Sequence, residues 1–112
     1  MIILLTNDDG LGAPGLHALQ EAVKRQFSDA EVVTVAPATN QSACSFSLTL
    51  WSPIAVDRVD QSTYRIHGTP ADCVKLAIVE LLDSRPDLVI SGVNMGANIG
   101  TDAYNSGTVA AA

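Results

Sequence analysis

Apolar and polar positions follow two rhythms along this chain, and the changes from one to the other mark out its elements. Ile2 to Leu5 is an uninterrupted apolar run that stops at Thr6-Asn7-Asp8-Asp9-Gly10. A short apolar run closed by turn residues reads as a strand buried on both faces of a parallel sheet. After Leu-Gly-Ala-Pro-Gly the rhythm turns helical. Leu16, Leu19, Ala22, Val23 and Phe27 fall on one face, with Gln20, Glu21, Lys24 and Arg25 opposite. Pro14 suits the first helical turn, where its missing N–H costs nothing, and Ser28-Asp29 closes the helix. Glu31 to Ala36 (EVVTVA) is β-branched and apolar, so it predicts a second buried strand. Together these segments form one βαβ unit, which is right-handed almost without exception.

Pro37 to Phe46 is small and polar, a loop at the carboxyl end of the second strand. Ser47 to Trp51 (SLTLW) and Ser62 to His67 (STYRIH) both alternate, with Pro53 to Asp60 between them. They predict an antiparallel excursion beside the parallel sheet. Thr69 as N-cap, Pro70 next and Asp72 at the third position open another helix. Its buried stripe is Val74, Ala77, Ile78, Leu81 and Leu82, and Arg85-Pro86 ends it. Asp87 to Ser91 (DLVIS) predicts the third parallel strand, followed by a glycine-rich loop over Gly92 to Gly100 and a last helix capped by Ser106. The expected fold is α/β: a single three-layer α-β-α, Rossmann-like domain over residues 1–112, mostly parallel, with a small antiparallel excursion. SGTVAAA breaks off inside what reads as a new helix, so a longer polypeptide truncated at its C-terminus is expected.

Composition narrows the function. Apolar residues make up 47% and charged residues only 16%, as suits central strands covered on both faces. A net charge of −6 excludes a protein that tracks a nucleic-acid polymer with a basic face. Small anions stay open as ligands, because one metal ion or one helix N-terminus can hold them locally. Cys44 and Cys73 are too few for a disulfide framework and neither belongs to a CxxC. With no leader-like start and no run near the ~20 apolar residues of a membrane span, a cytoplasmic protein without a membrane partner is expected.

Candidate chemistry sits at three strand ends. The first brings Asn7, Asp8 and Asp9, the second Asn40 and Ser42, the third Asn94 and Asn98. In open α/β sheets ligands bind at the carboxyl ends of strands, where the winding reverses. Two adjacent acids there are costly unless a cation neutralises them, although Asn-Asp-Asp-Gly is also ordinary turn chemistry. An oxygen-only set suits Mg²⁺, Mn²⁺ or Ca²⁺ better than Zn²⁺. Ser106-Gly107-Thr108 opens a helix whose N–H groups suit a phosphate, or is a plain serine cap. Gly92, Gly96 and Gly100 form neither a GxGxxG fingerprint nor a P-loop. His17 and His67 read as structural, and Trp51 as a packing residue. A receiver-like phospho-acceptor module also pairs acids after its first strand, but needs an acceptor Asp where this chain has Asn94. A non-catalytic, metal-binding assembly module is the other alternative.

Six motifs, in order, resemble the SurE family: TNDDG at 6–10, AP…NQS at 36–42, SLTL at 47–50, GTPADCV at 68–74, SGVNMGANIG at 91–100 and SGTVAAA at 106–112. The resemblance implies a metal-dependent phosphomonoesterase, a 5′/3′-nucleotidase with acid-phosphatase-like chemistry. Such an enzyme converts nucleoside monophosphates to nucleoside and phosphate. It implies one divalent ion, Mn²⁺ or Mg²⁺, on Asp8, Asp9, Ser42 and Asn94, with Asp8 and Asp9 catalytic. It places phosphate on Asn98, Ser106, Gly107 and Thr108. The family commonly has Gly-Ala where this chain has Ala43-Cys44. SurE proteins are also longer, and their C-terminal part builds an exchanged arm, which implies a homodimer or homotetramer for the full-length form.

Overall fold

Ile3, Leu4 and Leu5 are completely buried, and they form the middle of the central strand, β1 (Ile2–Thr6). A strand points alternate side chains to opposite faces. Ile3 and Leu5 therefore face one helix and Leu4 the other. The computed structural model describes residues 1–40 and 48–94. Within them the remaining elements are α1 (Pro14–Gln26), β2 (Glu31–Pro37), β3 (Val56–Asp60), β4 (Thr63–Ile66), α2 (Pro70–Leu76) and β5 (Leu88–Ser91). The five described strands form one sheet in the order β3-β4-β2-β1-β5. β1 pairs in parallel with β2 and with β5, and β2 in parallel with β4; only β3 and β4 are antiparallel.

Two apolar clusters lie on the two faces of this sheet. Ile3, Leu5, Val32 and Ala36 pack under Leu16 and Val23 of α1. Leu4, Val33, Val35 and Ile66 pack under Cys73 of α2 and Ala77 just beyond it. The arrangement is the expected three-layer α-β-α architecture. Each fully buried aliphatic side chain contributes about 1.5–3 kcal/mol relative to exposure, so the continuous apolar run of β1 anchors both layers at once. On α1, Leu16 and Val23 are buried and Leu19 partly so, whereas Ala22 faces solvent.

The excursion differs from the expectation. SLTLW predicts a strand, but Leu48 to Trp51 form none; Ser47 lies outside the described residues. The strand lies instead at Val56–Asp60, within the stretch expected to connect the pair. Its physical disguise is its position. β3 is an edge strand with every residue exposed, so Asp57, Arg58 and Asp60 break the alternation while guarding an open edge. β4 joins the parallel sheet through its register with β2, Thr34↔Thr63 to Pro37↔Ile66. Trp51, expected to pack, is 95% exposed, because its segment lies off the sheet.

That segment is held elsewhere. The buried Asp72 carboxylate accepts Thr49 N–H at 2.8 Å, Thr49 Oγ1 at 2.7 Å and Thr69 N–H at 2.9 Å, while Thr69 Oγ1 accepts Asp72 N–H at 3.1 Å. The last two bonds complete the capping box that the sequence predicts. Burial alone raises the Asp72 pKa, but the bonds from Thr49 and Thr69 outweigh it and hold the group below its ordinary 3.8. A depressed carboxylate stabilises the fold above its unfolded pKa and loses that contribution as pH falls through the folded one. Asp72→Asn is therefore expected to cost about 1.5–3 kcal/mol at neutral pH, since the bonds are to a charged group. Thermal unfolding checks this: the gap between variant and wild type closes once pH drops below 3.8. A gap that is constant with pH would contradict it.

Beyond α2 the helix widens into a π turn at Ala77–Leu81, closed by Leu82 N–H on the Ala77 carbonyl at 2.9 Å. It ends at Leu81, earlier than the Arg85-Pro86 stop that the sequence suggests. Among the described residues no helix is long and apolar enough to cross a membrane.

Candidate functional site

The acid pair stands on the turn that ends the central strand. Asn7, fully buried, donates from Nδ2 to the Gly10 carbonyl at 2.8 Å and accepts Gly10 N–H on Oδ1 at 3.2 Å. Its amide thus braces the turn that carries Asp8 and Asp9. Asp8 is only 4% exposed and Asp9 is half-buried. Gly10 has φ +107°, a conformation that side chains other than glycine seldom adopt. A Cβ there would also lie 3.3 Å from the Thr39 carbonyl carbon. Leu11 N–H continues the join by donating to the Pro37 carbonyl at 2.8 Å. The loop after β1 is thereby fastened to the end of β2.

The loop after β5 approaches from the other side. Gly92 N–H donates to the Thr6 carbonyl at 2.9 Å, extending the β1–β5 ladder beyond Thr6↔Ser91. Gly92 has φ +148°, and the Gly92–Val93 peptide is cis. At the start of α1 a Cβ on Gly15 would fall 2.5 Å from the Val93 carbonyl oxygen, so that backbone rests directly on the helix. Asn94, half-buried, is the next residue. The chain runs from β1 to β2 on one side and returns through α2 to β5 on the other. The winding reverses between β1 and β5, which is where open α/β sheets bind ligands.

Of the residues expected to act, Asp8, Asp9 and Asn94 lie in adjoining loops at this reversal, and Asn40 follows Thr39 in the β2 loop. Ser42, Asn98, Ser106, Gly107 and Thr108 lie outside the described residues. Sequence reasoning missed the bracing role of Asn7 and the contact made by Gly15. An Asn three residues before a Gly at a strand end was the available signal for the first. His17 and His67 are both exposed. His67 Nε2 lies 2.8 Å from Asp57 Oδ2 and Arg65 Nη1 3.7 Å from the same oxygen. The hydrogen bond with His67 is the main cause holding Asp57 below its ordinary value. Burial, aided by the Asp72 charge, pushes the Cys73 thiol far up, which agrees with an inert core cysteine.

The donor chemistry fits a hard divalent cation. Among the described residues no group of three His, Cys, Asp or Glu is placed to hold a metal. Two carboxylates offset the charge of one such ion, and neutral side-chain oxygens must complete the shell. Asn94 carries an amide oxygen, a donor of that chemical kind.

Fold and placement together define a class: a doubly wound three-layer α/β protein with paired acids on the turn at the carboxyl end of its central strand. The family model for survival protein SurE matches residues 3–112, and the chain belongs to the SurE family. It is 56% identical over all 112 residues to the 5′-nucleotidase SurE of Citrifermentans bemidjiense, covering 44% of that protein. The 5′-nucleotidase SurE of a Geobacter species gives the same figures. The crystal structure of the SurE protein from Aquifex aeolicus matches with a TM-score of 0.89 and 46% identity, over 99% of this chain and 44% of that one. The chain thus spans less than half the length of these relatives.

Proposed function

We propose that the protein carrying this chain is a metal-dependent nucleotidase that hydrolyses nucleoside monophosphates to nucleoside and phosphate. The observation that carries this reading is the seating of Asp8 and Asp9 at the sheet's reversal point, with the Asn94 loop against the same strand end. The names of the two 56% identical relatives support the reaction class. In this reading Asp8, Asp9, Ser42 and Asn94 hold one divalent ion, Mn²⁺ or Mg²⁺. When bound, that ion screens charge on the phosphoryl group and acidifies water. Asn98 and the backbone N–H groups of Ser106, Gly107 and Thr108 bind the equatorial phosphate oxygens and stabilise them during in-line attack. Asp8 and Asp9 orient the attacking water. Its oxygen bonds to phosphorus as the P–O bond to the nucleoside breaks, and the nucleoside oxygen leaves with a proton. The working form in this proposal is a cytoplasmic homodimer or homotetramer.

Metal removal tests the proposal. With AMP as substrate, excess EDTA is expected to abolish phosphate release and Mn²⁺ or Mg²⁺ to restore it. Turnover that survives exhaustive chelation would refute it.

A further inference from the structure

The acid-bearing turn meets the end of β2 at Thr39. A Cβ on Gly10 would lie 3.3 Å from the Thr39 carbonyl carbon and 3.5 Å from the Asn40 nitrogen. Thr39 also lines a cavity of about 350 Å³ at the carboxyl ends of β2 and β4. Ala38 and Thr39 reach it just past the last residue of β2, and Ile66 and His67 at the end of β4. The two strand ends are fastened together, since Ala38 N–H donates to the Ile66 carbonyl at 2.8 Å. Thr49 and Thr69 bring the start of α2 into the same wall.

That wall is built in advance. The buried Asp72 carboxylate accepts Thr49 N–H at 2.8 Å, Thr49 Oγ1 at 2.7 Å and Thr69 N–H at 2.9 Å. Gly68, also on the wall, leaves no room for a side chain: a Cβ would fall 2.6 Å from Asp72 Oδ2. A preorganised wall lowers the ordering cost of binding. Among the described residues the lining holds no carboxylate, lysine or arginine. His67 is its one titratable group there, and His67 Nε2 already lies 2.8 Å from Asp57 Oδ2. Ile66, fully buried, and Ala38 offer apolar surface, and three threonines offer hydroxyls. A hydroxyl has one donor and two acceptor lone pairs. Thr49 directs its donor to Asp72, so its oxygen meets a ligand as an acceptor. An uncharged wall of hydroxyls and aliphatic carbon suits a sugar and a base, not a phosphate. The volume lies at the lower end of small-molecule sites, roughly 300–1,000 Å³.

We propose that this cavity receives the sugar and base of the nucleoside monophosphate whose phosphate lies over Asp8 and Asp9. The inference rests on the nucleotidase reading and names the residues that hold the uncharged half of the substrate. The threonine hydroxyls bond the ribose hydroxyls, and the surface of Ile66 and Ala38 takes the base. On the β5 side of the acid pair the Val93 backbone lies against α1 at Gly15. The substrate therefore extends the other way, toward β2, where Thr39 joins the acid turn to the cavity.

Calorimetric titration of the purified full-length protein with adenosine in excess EDTA tests the proposal. Adenosine carries no phosphate and EDTA removes the metal, so this readout needs neither turnover nor an occupied acid pair. Saturable adenosine binding is expected. Thr39→Phe, which fills the cavity from the β2 end, is expected to weaken it at least tenfold and to raise the KM for AMP in Mn²⁺. His67→Trp, from the β4 end, is expected to act in the same direction. Both positions are exposed, so both variants should fold, and thermal unfolding checks that they do. Absence of saturable adenosine binding, or unaltered affinity in either variant, would overturn the inference. AMP hydrolysis without adenosine binding would overturn it alone. Adenosine binding without AMP hydrolysis in Mn²⁺ would overturn the nucleotidase reading and leave a nucleoside site standing.

Discussion

Replacing Asp9 by Asn is expected to lower metal-supported AMP hydrolysis by more than about 100-fold, since loss of even an outer partner of a metal ligand costs roughly 10–100-fold. Asn keeps the shape of Asp and remains compatible with turn geometry. The brace from Asn7 to Gly10 uses neither carboxylate, so it is kept in the variant. What changes is charge: one carboxylate in place of two no longer offsets a divalent ion. A second measurement separates metal binding from turnover. If the site holds Mn²⁺ as proposed, saturating Mn²⁺ is expected to stabilise the wild-type fold by mass action, about 2.7 kcal/mol at a hundred times the dissociation constant. Asp9→Asn should lose most of that thermal shift, each protein being compared with its own unfolding temperature in EDTA. Full activity, or an undiminished Mn²⁺ shift, would remove Asp9 from the site.

The features that were legible in the sequence are those whose cause is local or periodic. The apolar run of β1, the β-branched run of β2 and the helical spacing of α1 each carry their burial on their own residues. The Thr69–Asp72 capping box lies within a single turn and was readable for the same reason. From three such strands joined by helices, short right-handed connections leave few topologies. That is why the adjacency of the Asp8, Asp9 and Asn94 loops followed from the winding alone.

The failures have the opposite cause. Leu48 to Trp51 alternates like a strand, but Thr49 gives its N–H to Asp72 rather than to a neighbouring strand. The decisive partner is remote in sequence and invisible to a periodicity. β3 shows the converse, a strand without alternation because an edge with no covered face imposes none. Within the site, Asp8 and Asp9 advertise themselves by charge. Gly15 acts through the absence of a side chain beside a distant carbonyl, and no local pattern marks that.

Gly15 yields the second large effect. Gly15→Ala adds a Cβ 2.5 Å from the Val93 oxygen and 3.4 Å from the Val93 carbonyl carbon. Because the obstacle is backbone, either the helix start or the loop must retreat; reaching 3.4 Å from the oxygen needs about 0.9 Å of movement. Two stability effects oppose each other. Alanine favours an α-helix over glycine by about 1 kcal/mol, and overpacking costs about 1–3 kcal/mol. The net change in unfolding free energy is expected to be destabilising but no more than about 2 kcal/mol. Activity does not share this cancellation, because a displacement near 1 Å in a positioning element costs on the order of 100-fold. The Val93 shift passes directly to Asn94, so the variant should need more Mn²⁺ for half-maximal turnover and turn over more slowly at saturation. Gly12→Ala is the matched control: a Cβ there meets nothing within 4 Å, and its metal dependence should equal that of the wild type. If Gly15→Ala matches that control, the loop after β5 does not position a ligand of the site.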